Sequence, residues 1–287
     1  MMSLLRIGLV LLMLWNDGKR PEVSNNDSRF RVATYNIRYA TQADEQSGNG
    51  WNLRKDALVK VITTHGFDIV GTQEGSERQL ADMKQRLVGF DYLAHSYGVV
   101  SANQHNCAIF YRTALFEVLD SGVFWLSPTP DVQSVGWDAS DHRIGQWIRF
   151  RVKETGREFY FFNTHFYWRL KEARAESGPL LARKIREIAG DTPVICTGDF
   201  NSAPGSPQVT AVKEMLNDAR DITQKPGEGV EETAFSGGVF QGSPKYRIDF
   251  IFLSRHFKVE DYKVISDTYK DDRYPSDHLP VTSMVTF

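Results

Sequence analysis

From Phe30 onward the sequence contains short apolar runs with strand character, and several of these runs end in a polar residue. The run at 30–37 carries Asn36 near its end, and the run at 68–71 leads into Glu74. A rigid sheet presents such side chains along one rim, where its strands stop. The pattern therefore predicts a β-rich domain with a polar cluster at one end of its strands.

Helical patterns lie between these strands. Leu58 and Ile62 belong to an apolar series with helical spacing, and Ser76 with Gln79 forms a possible capping box at the start of another helix. The segment 171–188 is mostly helical in pattern, but Pro179 follows Gly178 within it. We expect a break or kink there, because proline removes a helical hydrogen bond.

Successive strand pairs favour antiparallel pairing, and the interspersed helices favour covering layers. We therefore predict an α+β fold, a four-layer α/β/β/α sandwich of two mostly antiparallel sheets with flanking helices. It would occupy residues 30–287 as one domain.

The N-terminal segment, residues 1–29, is predicted to be signal-like or disordered. Its apolar run at 7–15 follows one positive charge and is too short to span a bilayer as a helix. The run has the size of a signal-peptide core, although no A-x-A cleavage site follows. The expected location is secreted or periplasmic, with a disordered cytoplasmic N-terminus as the alternative. No stable membrane span is expected.

Charge and cysteine content restrict the partners. Lys and Arg total 34 against 36 Asp and Glu, a net charge of −2. Proteins that hold long nucleic acid mainly by charge are basic, so a nucleic-acid substrate is possible but not favoured. Cys107 and Cys196 each lie in an apolar run, which predicts two buried free thiols. The two cysteines indicate neither a disulfide framework nor a zinc site.

The polar residues near strand ends form an ordered set along the chain. A lone Asp or His at such a position is more commonly a cap or a turn residue. The set as a whole supplies four carboxylates, two histidines and two amides, and hard oxygen ligands of this kind suit Mg²⁺, Mn²⁺ or Ca²⁺. Its members are Asn36, Glu74, His165, Asp199, Asn201, Asp249, Asp277 and His278.

These residues lie in motifs that resemble the endonuclease/exonuclease/phosphatase superfamily, in particular its bacterial and often secreted members. The similarity extends over residues 30–287, and the motifs occur in the family's order. They are TYN ending at Asn36, QE ending at Glu74, NTH ending at His165, GDFN at 198–201, RID ending at Asp249 and SDH at 276–278.

The resemblance implies a role for each residue. Glu74 would bind the metal, with Asn36 close by as a ligand or a supporting donor. Asp199 would orient and help to deprotonate the attacking water. Asn201 would hold a phosphate oxygen or that water.

The remaining residues would face the phosphate. His278, oriented by Asp249, would contact the scissile phosphate or transfer a proton. His165 would be a second phosphate-facing imidazole, and Asp277 would hold a second metal or assist the leaving group. Arg143 is the candidate substrate-binding arginine, with a surface salt bridge as the alternative.

The implied activity is divalent-metal-dependent hydrolysis of a phosphate ester by in-line attack of water. A phosphodiesterase or nuclease comes first; alternatives are a phosphomonoesterase, a phospholipid phosphodiesterase and a catalytically silent binding module. The natural substrate, the number of metal ions and the oligomeric state stay open. The side chains that could line the substrate mouth, or serve in packing instead, are Trp51, Arg54, Trp137 and Trp168.

Overall fold

The computed structural model describes residues 27–98, 105–225, 227 and 229–287. The predicted signal-like or disordered segment therefore lies outside the described residues except for 27–29. Within the described part, no helix is both long and apolar enough to cross a membrane.

The first sheet has six strands, and two of them, at its centre, run parallel to each other. In spatial order the strands are β11 (Lys258–Val264), β12 (Val281–Thr286), β1 (Arg29–Asn36), β2 (Ile69–Gly75), β4 (Asn106–Arg112) and β3 (Phe90–Ser96). The parallel pair is β1 with β2, and the other neighbours are antiparallel.

The second sheet repeats this plan. In spatial order its strands are β5 (Phe116–Trp125), β6 (Ile144–Val152), β7 (Glu158–His165), β8 (Val194–Asp199), β10 (Asp249–Leu253) and β9 (Asn217–Asp218). Strands β7 and β8 are parallel, and the other neighbours are antiparallel.

Helices flank the two sheets, and the predicted four-layer sandwich is confirmed. The helices are α1 (Gln42–Gln46), α2 (Trp51–Thr64), α3 (Glu77–Arg86), α4 (Lys171–Ala189), α5 (Pro207–Lys213) and α6 (Ala219–Ile222). One apolar core fills the space between the sheets. A second lies under α2 and α3 on the first sheet, and a third lies under α4 and α5 on the second sheet.

Strand β1 shows how the sequence positions the site. Phe30 and Val32 face the core between the sheets, while Ala33 and Tyr35 face the helices. Both faces are buried from Val32 onward, which explains why apolar residues occupy adjacent as well as alternate positions of the strand. Side chains alternate along a strand, so Asn36 lies on the same inner face as Val32.

A layer of buried amides and hydroxyls separates the inter-sheet core from the end of the strands. Gln73 Nε2 donates to Asn163 Oδ1 at 2.7 Å and to Thr34 Oγ1 at 3.1 Å, which joins the two sheets. The sheets approach closely at Gly71, where a Cβ atom would lie 2.4 Å from Thr197 Oγ1. This bonded layer ties the two strand ends together below the site.

Of the break or kink expected in α4, the break is wrong, because the helix continues through Pro179 from Lys171 to Ala189; the kink stays a prediction. Tertiary packing overrides the local signal here. The Gly178 backbone lies against α5, so a Cβ on that residue would be 2.1 Å from the Gln208 carbonyl oxygen. The predicted capping box at Ser76 and Gln79 is present at the start of α3.

Candidate active site

The second sheet supplies a row of three titratable side chains at the ends of adjacent strands. His165 is paired with Asp199 across β7 and β8, and Asp199 is paired with Asp249 across β8 and β10. Each lies an even number of residues from an inward-facing core residue of its own strand, such as Ile195 for Asp199. Strand alternation therefore points all three into the space between the sheets.

Glu74 reaches the same space through a distortion of β2. Alternation alone would place it on the outer face with Val70, which packs under the helices. Its φ of 68° is in the left-handed region, and the register with β4 shifts between Thr72 and Gly75. A bulge of this kind re-aims a side chain, and such strain is concentrated at functional sites.

Asn36 connects the carboxylates of the two sheets. Its Nδ2 donates to Glu74 Oε1 at 3.1 Å and to Asp199 Oδ2 at 3.0 Å, while its Oδ1 accepts from the Arg38 N–H at 3.0 Å. The backbone donor sets the orientation of the amide. In this arrangement Asn36 is a donor between two carboxylates, and its predicted role as a metal ligand stays a prediction.

His278 and Asp249 form the predicted carboxylate–histidine pair. Asp249 Oδ2 lies 2.9 Å from His278 Nδ1 and accepts from Thr233 Oγ1 at 2.6 Å. Burial alone would lower the pKa of His278, but the charges of Asp249 and Asp199 raise it well above its usual value. His278 is therefore an imidazolium near neutral pH, with Nε2–H 3.7 Å from Asp199 Oδ2.

His165 has different neighbours. Its Nδ1 lies 3.0 Å from the Tyr97 hydroxyl and 3.1 Å from Arg143 Nη1. A guanidinium only donates, so Nδ1 is the acceptor and Nε2 carries the proton. Burial and the positive charge of Arg143 hold the pKa of His165 well below its usual value. This histidine is a neutral donor, with Nε2 3.5 Å from Asp199 Oδ2.

Asp199 lies between the two imidazoles. Its Oδ1 accepts from the Asn201 N–H at 2.9 Å. Burial raises the pKa of this carboxyl to about 7, although the charge of His278 opposes the shift. A carboxylate that titrates near neutral pH suits a general base.

Asp277 and Arg38 complete the first sheet's side of the site. Arg38 Nη1 lies 3.5 Å from Asp277 Oδ2, and its Nε donates to Asp44 at 3.2 Å. Burial raises the pKa of Asp277 despite the nearby imidazolium. Burial also opposes ionisation of Glu74, but Arg38 and other nearby cations outweigh it, so the pKa of Glu74 is lowered.

A cavity of about 1080 Å³ opens over this cluster. Asn36 and Asp249 lie behind its wall and act through the side chains that they hold. The predicted residues that line it directly are Glu74, His165, Asp199, Asn201, Asp277, His278 and Arg143. The structure thus brings all eight strand-end residues together, and Arg143 with them.

The donor set fits a divalent cation. Asp199, Asp249 and His278 each offer a ligand atom within 4.8 Å of the others, and Asp249 Oδ1 is buried with no partner among the described residues. Glu74 supplies a further hard carboxylate beside them. Four carboxylates in one buried cluster repel one another, and a cation with oxygen ligands would relieve that repulsion.

Of the four residues that could line the substrate mouth, three serve in packing and one lines the cavity. Trp51 and Arg54 are buried; Arg54 Nη1 donates to the carbonyls of Ile37 and Pro275, so it joins two segments that carry site residues. Trp137 packs against the core under α4 and α5. Trp168 alone of the four lines the cavity.

Some site residues carried no recognisable motif. Tyr97, which also accepts from the Glu74 N–H at 3.1 Å, and His105, whose ring lies 4.2 Å from that of Tyr39, enter the site only through folding. Arg38 was detectable in principle, because it follows Asn36 by two residues at a strand end.

The sequence matches the model of the endonuclease/exonuclease/phosphatase family over residues 33–278. Among solved structures, the chain is similar to a mannosyl-6-phosphatase from Bacteroides thetaiotaomicron. The identity is 39%, the match covers 90% of this chain and 100% of the other, and the TM-score is 0.84.

Two further relatives extend this result. A family protein from the same organism is 38% identical, with 91% of this chain and 96% of the other covered and a TM-score of 0.84. RNA exonuclease NGL1 from Saccharomyces cerevisiae is 22% identical, with 89% of this chain and 92% of that protein covered. The chain belongs to the endonuclease/exonuclease/phosphatase family, whose named relatives here hydrolyse phosphate esters.

Proposed function

We propose that this protein is a divalent-metal-dependent phosphomonoesterase that acts on small soluble phosphate esters. The observation that carries the proposal is the convergence of two imidazole N–H groups and the Asp199 carboxylate on one point of the cavity. Donors flanking a base are what in-line attack of water on a phosphoryl group requires.

Each side chain has a part in that reaction. Asp199 accepts a proton from the attacking water, since its pKa of about 7 leaves a carboxylate available near neutral pH. The imidazolium of His278 and the neutral N–H of His165 donate to phosphoryl oxygens as charge develops. Asp249 keeps His278 charged and oriented. As the water oxygen bonds to phosphorus, the P–O bond to the organic group breaks and the departing oxygen takes a proton from the His278 imidazolium, so the products are an alcohol and inorganic phosphate; the proton on Asp199 then restores the imidazolium.

A metal ion at Glu74 and its neighbouring carboxylates would supply Lewis-acid polarisation of the phosphoryl oxygens. Mg²⁺ is the first expectation, with Mn²⁺ or Ca²⁺ as alternatives, because hard carboxylate oxygens dominate the donor set.

The cavity favours a small monoester over a polymer. Its volume of about 1080 Å³ lies just above the range of small-molecule sites, roughly 300–1,000 Å³. The net charge of −2 offers no excess of cations for a long phosphate backbone. The likeness to a mannosyl-6-phosphatase supports the same substrate class.

A phosphodiesterase or nuclease is the second candidate, and the likeness to an RNA exonuclease favours it. Both activities share the phosphoryl chemistry described above. They differ in whether the phosphate carries one or two organic groups.

The test compares substrates and metal states in the full chain. Hexose 6-phosphates, glycerol phosphate, bis(p-nitrophenyl) phosphate and single-stranded RNA are assayed with Mg²⁺ and with EDTA. We expect the largest kcat/KM on a monoester, and loss of activity in EDTA. Faster cleavage of RNA or of the diester would favour the second candidate, a phosphodiesterase or nuclease. Full activity in EDTA would contradict the proposed metal dependence.

A pair of matched variants tests whether the activity depends on the carboxylates of this site. Glu74→Gln should lower kcat by at least about 100-fold, as removal of a group that stabilises transition-state charge does. Glu77→Gln changes an exposed carboxylate three residues away and should leave activity unchanged.

A further inference from the structure

The mouth of the cavity carries two exposed aromatic side chains. Trp168 is 52% exposed and Tyr246 is 51% exposed, and both line the cavity. Among the exposed large apolar side chains of the described residues, these are the two with rings. Aromatic rings left in water beside a binding cavity offer flat contact area to a ligand.

Their positions follow from the strand order. Trp168 comes three residues after His165 on β7, and Tyr246 comes three residues before Asp249 on β10. Strands β7 and β10 lie on either side of β8, which separates them by two strand spacings, about 10 Å. Trp168 and Tyr246 therefore reach the cavity from the two strands that flank β8, the strand that carries Asp199.

Both aromatic residues are held in place relative to the site. Tyr246 exchanges backbone hydrogen bonds with Ala234, which also bridges to His278. The guanidinium of Arg169 lies 4.4 Å from the centre of the Trp168 ring, on one of its faces, and Arg174 donates to the Trp168 carbonyl at 3.3 Å. A ligand ring would therefore meet surfaces that are already oriented.

The cavity wall also carries polar side chains. The loop after β8 contributes Ser202 and Ser206, and α5 contributes Gln208, whose amide donates to the Ser202 hydroxyl. Arg174 and Lys245 also line it, and neither forms an ion pair with a residue that the structure describes. Hydroxyl and amide groups suit a ligand with many hydroxyls, and two uncompensated cations suit an anionic one.

We propose that Trp168 and Tyr246 form a ring clamp that binds the sugar ring of a phosphorylated hexose and directs its phosphate to the two histidines. The inference rests on the proposed function, because it names the substrate class of the same site. A pyranose presents C–H faces to the two aromatic rings and hydroxyl edges to the polar wall. A nucleobase would use the rings but would leave most of that wall without partners.

The test separates the ring from the phosphate. Mannose 6-phosphate and the ringless glycerol 3-phosphate are assayed with the full chain in Mg²⁺. Trp168→Ala and Tyr246→Ala should each raise KM for the hexose phosphate at least about tenfold, with kcat and the glycerol phosphate KM changed less than about threefold. Trp168→Phe and Tyr246→Phe should restore most of the loss. Leu170→Ala, an exposed apolar change on the Trp168 loop, is the matched control.

The possible outcomes distinguish failure of the ring clamp from failure of the proposed function. Equal effects on both substrates, or no effect on either, would overturn the clamp and leave the phosphatase function standing. Hydrolysis of glycerol phosphate but not of any hexose phosphate by the unchanged protein would overturn the sugar assignment alone. Cleavage of RNA but of neither monoester would overturn the proposed function as well.

Discussion

Two buried histidines face the same carboxylate and yet differ in protonation. His278 has Asp249 behind its ring, and its pKa is raised well above the usual value. His165 has Arg143 and Tyr97 behind its ring, and its pKa is lowered well below that value. The group that contacts Nδ1 of each imidazole decides whether the Nε2 donor on the other side of the ring is charged.

The difference shows how one site obtains two kinds of donor. A charged imidazolium can neutralise phosphoryl charge, while a neutral imidazole donates without adding a second imidazolium charge to a site that already holds Arg38. Asp199, between them, remains able to accept a proton. Changing the partner behind each ring tests this comparison.

Among changes to the groups that hold the two histidines, the largest effect is expected from Asp249→Asn. Without the carboxylate the pKa of His278 falls and its orientation loosens, so kcat should drop by about 1,000-fold. Steady-state assays at pH 7 measure this. Asp120→Asn, an exposed change on β5, should have no effect. A drop of less than about threefold would show that the charge on His278 is not needed.

A smaller loss is expected from Arg143→Gln. The guanidinium bond to His165 Nδ1 is lost, and a charge-assisted bond contributes about 1.5–3 kcal/mol, so kcat/KM should fall roughly 10- to 100-fold. ¹⁵N NMR of the imidazoles should show His165 protonated at Nε2 in the unchanged protein, and its pKa should rise in the variant. Arg149→Gln, on β6, the strand that follows Arg143, is the control. An unchanged His165 pKa would contradict the assigned tautomer.

Asp199, the carboxylate between the two histidines, provides a test of pH-dependent stability in metal-free protein. The folded pKa of Asp199 is raised from 3.8 to about 7, so this group destabilises the fold progressively as pH rises from about 4 to 7. Asp199→Asn removes the buried charge and should raise stability at pH 8 by about 1–2 kcal/mol, or roughly 2–6 °C in Tm, while abolishing activity.

Calorimetry in EDTA measures that gain, and repeating it at pH 4 gives the internal control, because the difference should vanish there. Mg²⁺ should narrow the gap at pH 8 by stabilising the unchanged protein more. A lower Tm for Asp199→Asn at pH 8 would contradict burial as the cause of the raised pKa.

The smallest change should come from Tyr97→Phe. The Glu74 N–H loses its acceptor, but His165 keeps Arg143, so kcat/KM should fall less than about fivefold and stability by about 1 kcal/mol. Tyr92→Phe, on β3, is the control. If Tyr97→Phe costs more activity than Arg143→Gln, the hydroxyl rather than the guanidinium sets the state of His165.

Much of the fold was visible in local patterns. The run that forms β1, the capping box of α3 and the strand-end position of Asp199 were all predicted, because strand alternation and cap chemistry depend on neighbouring residues. The continuation of α4 through Pro179 was not, because packing against α5 outweighs a single lost hydrogen bond. Strand β3 was also not predicted; its residues are mostly half-buried and alternate weakly.

Residue type and spacing were enough to name the residues that could form the site, because carboxylates, amides and histidines at strand ends can be recognised locally. The role of each residue depended on the packing of the two sheets. The tertiary structure turned Glu74 inward through a bulge, and it placed a carboxylate beside one histidine and a guanidinium beside the other. It also decided between the mouth and packing for Arg54, which is buried. The physical reason is that protonation and orientation depend on burial and on partners far apart in the chain, and these exist only after the two sheets have packed together.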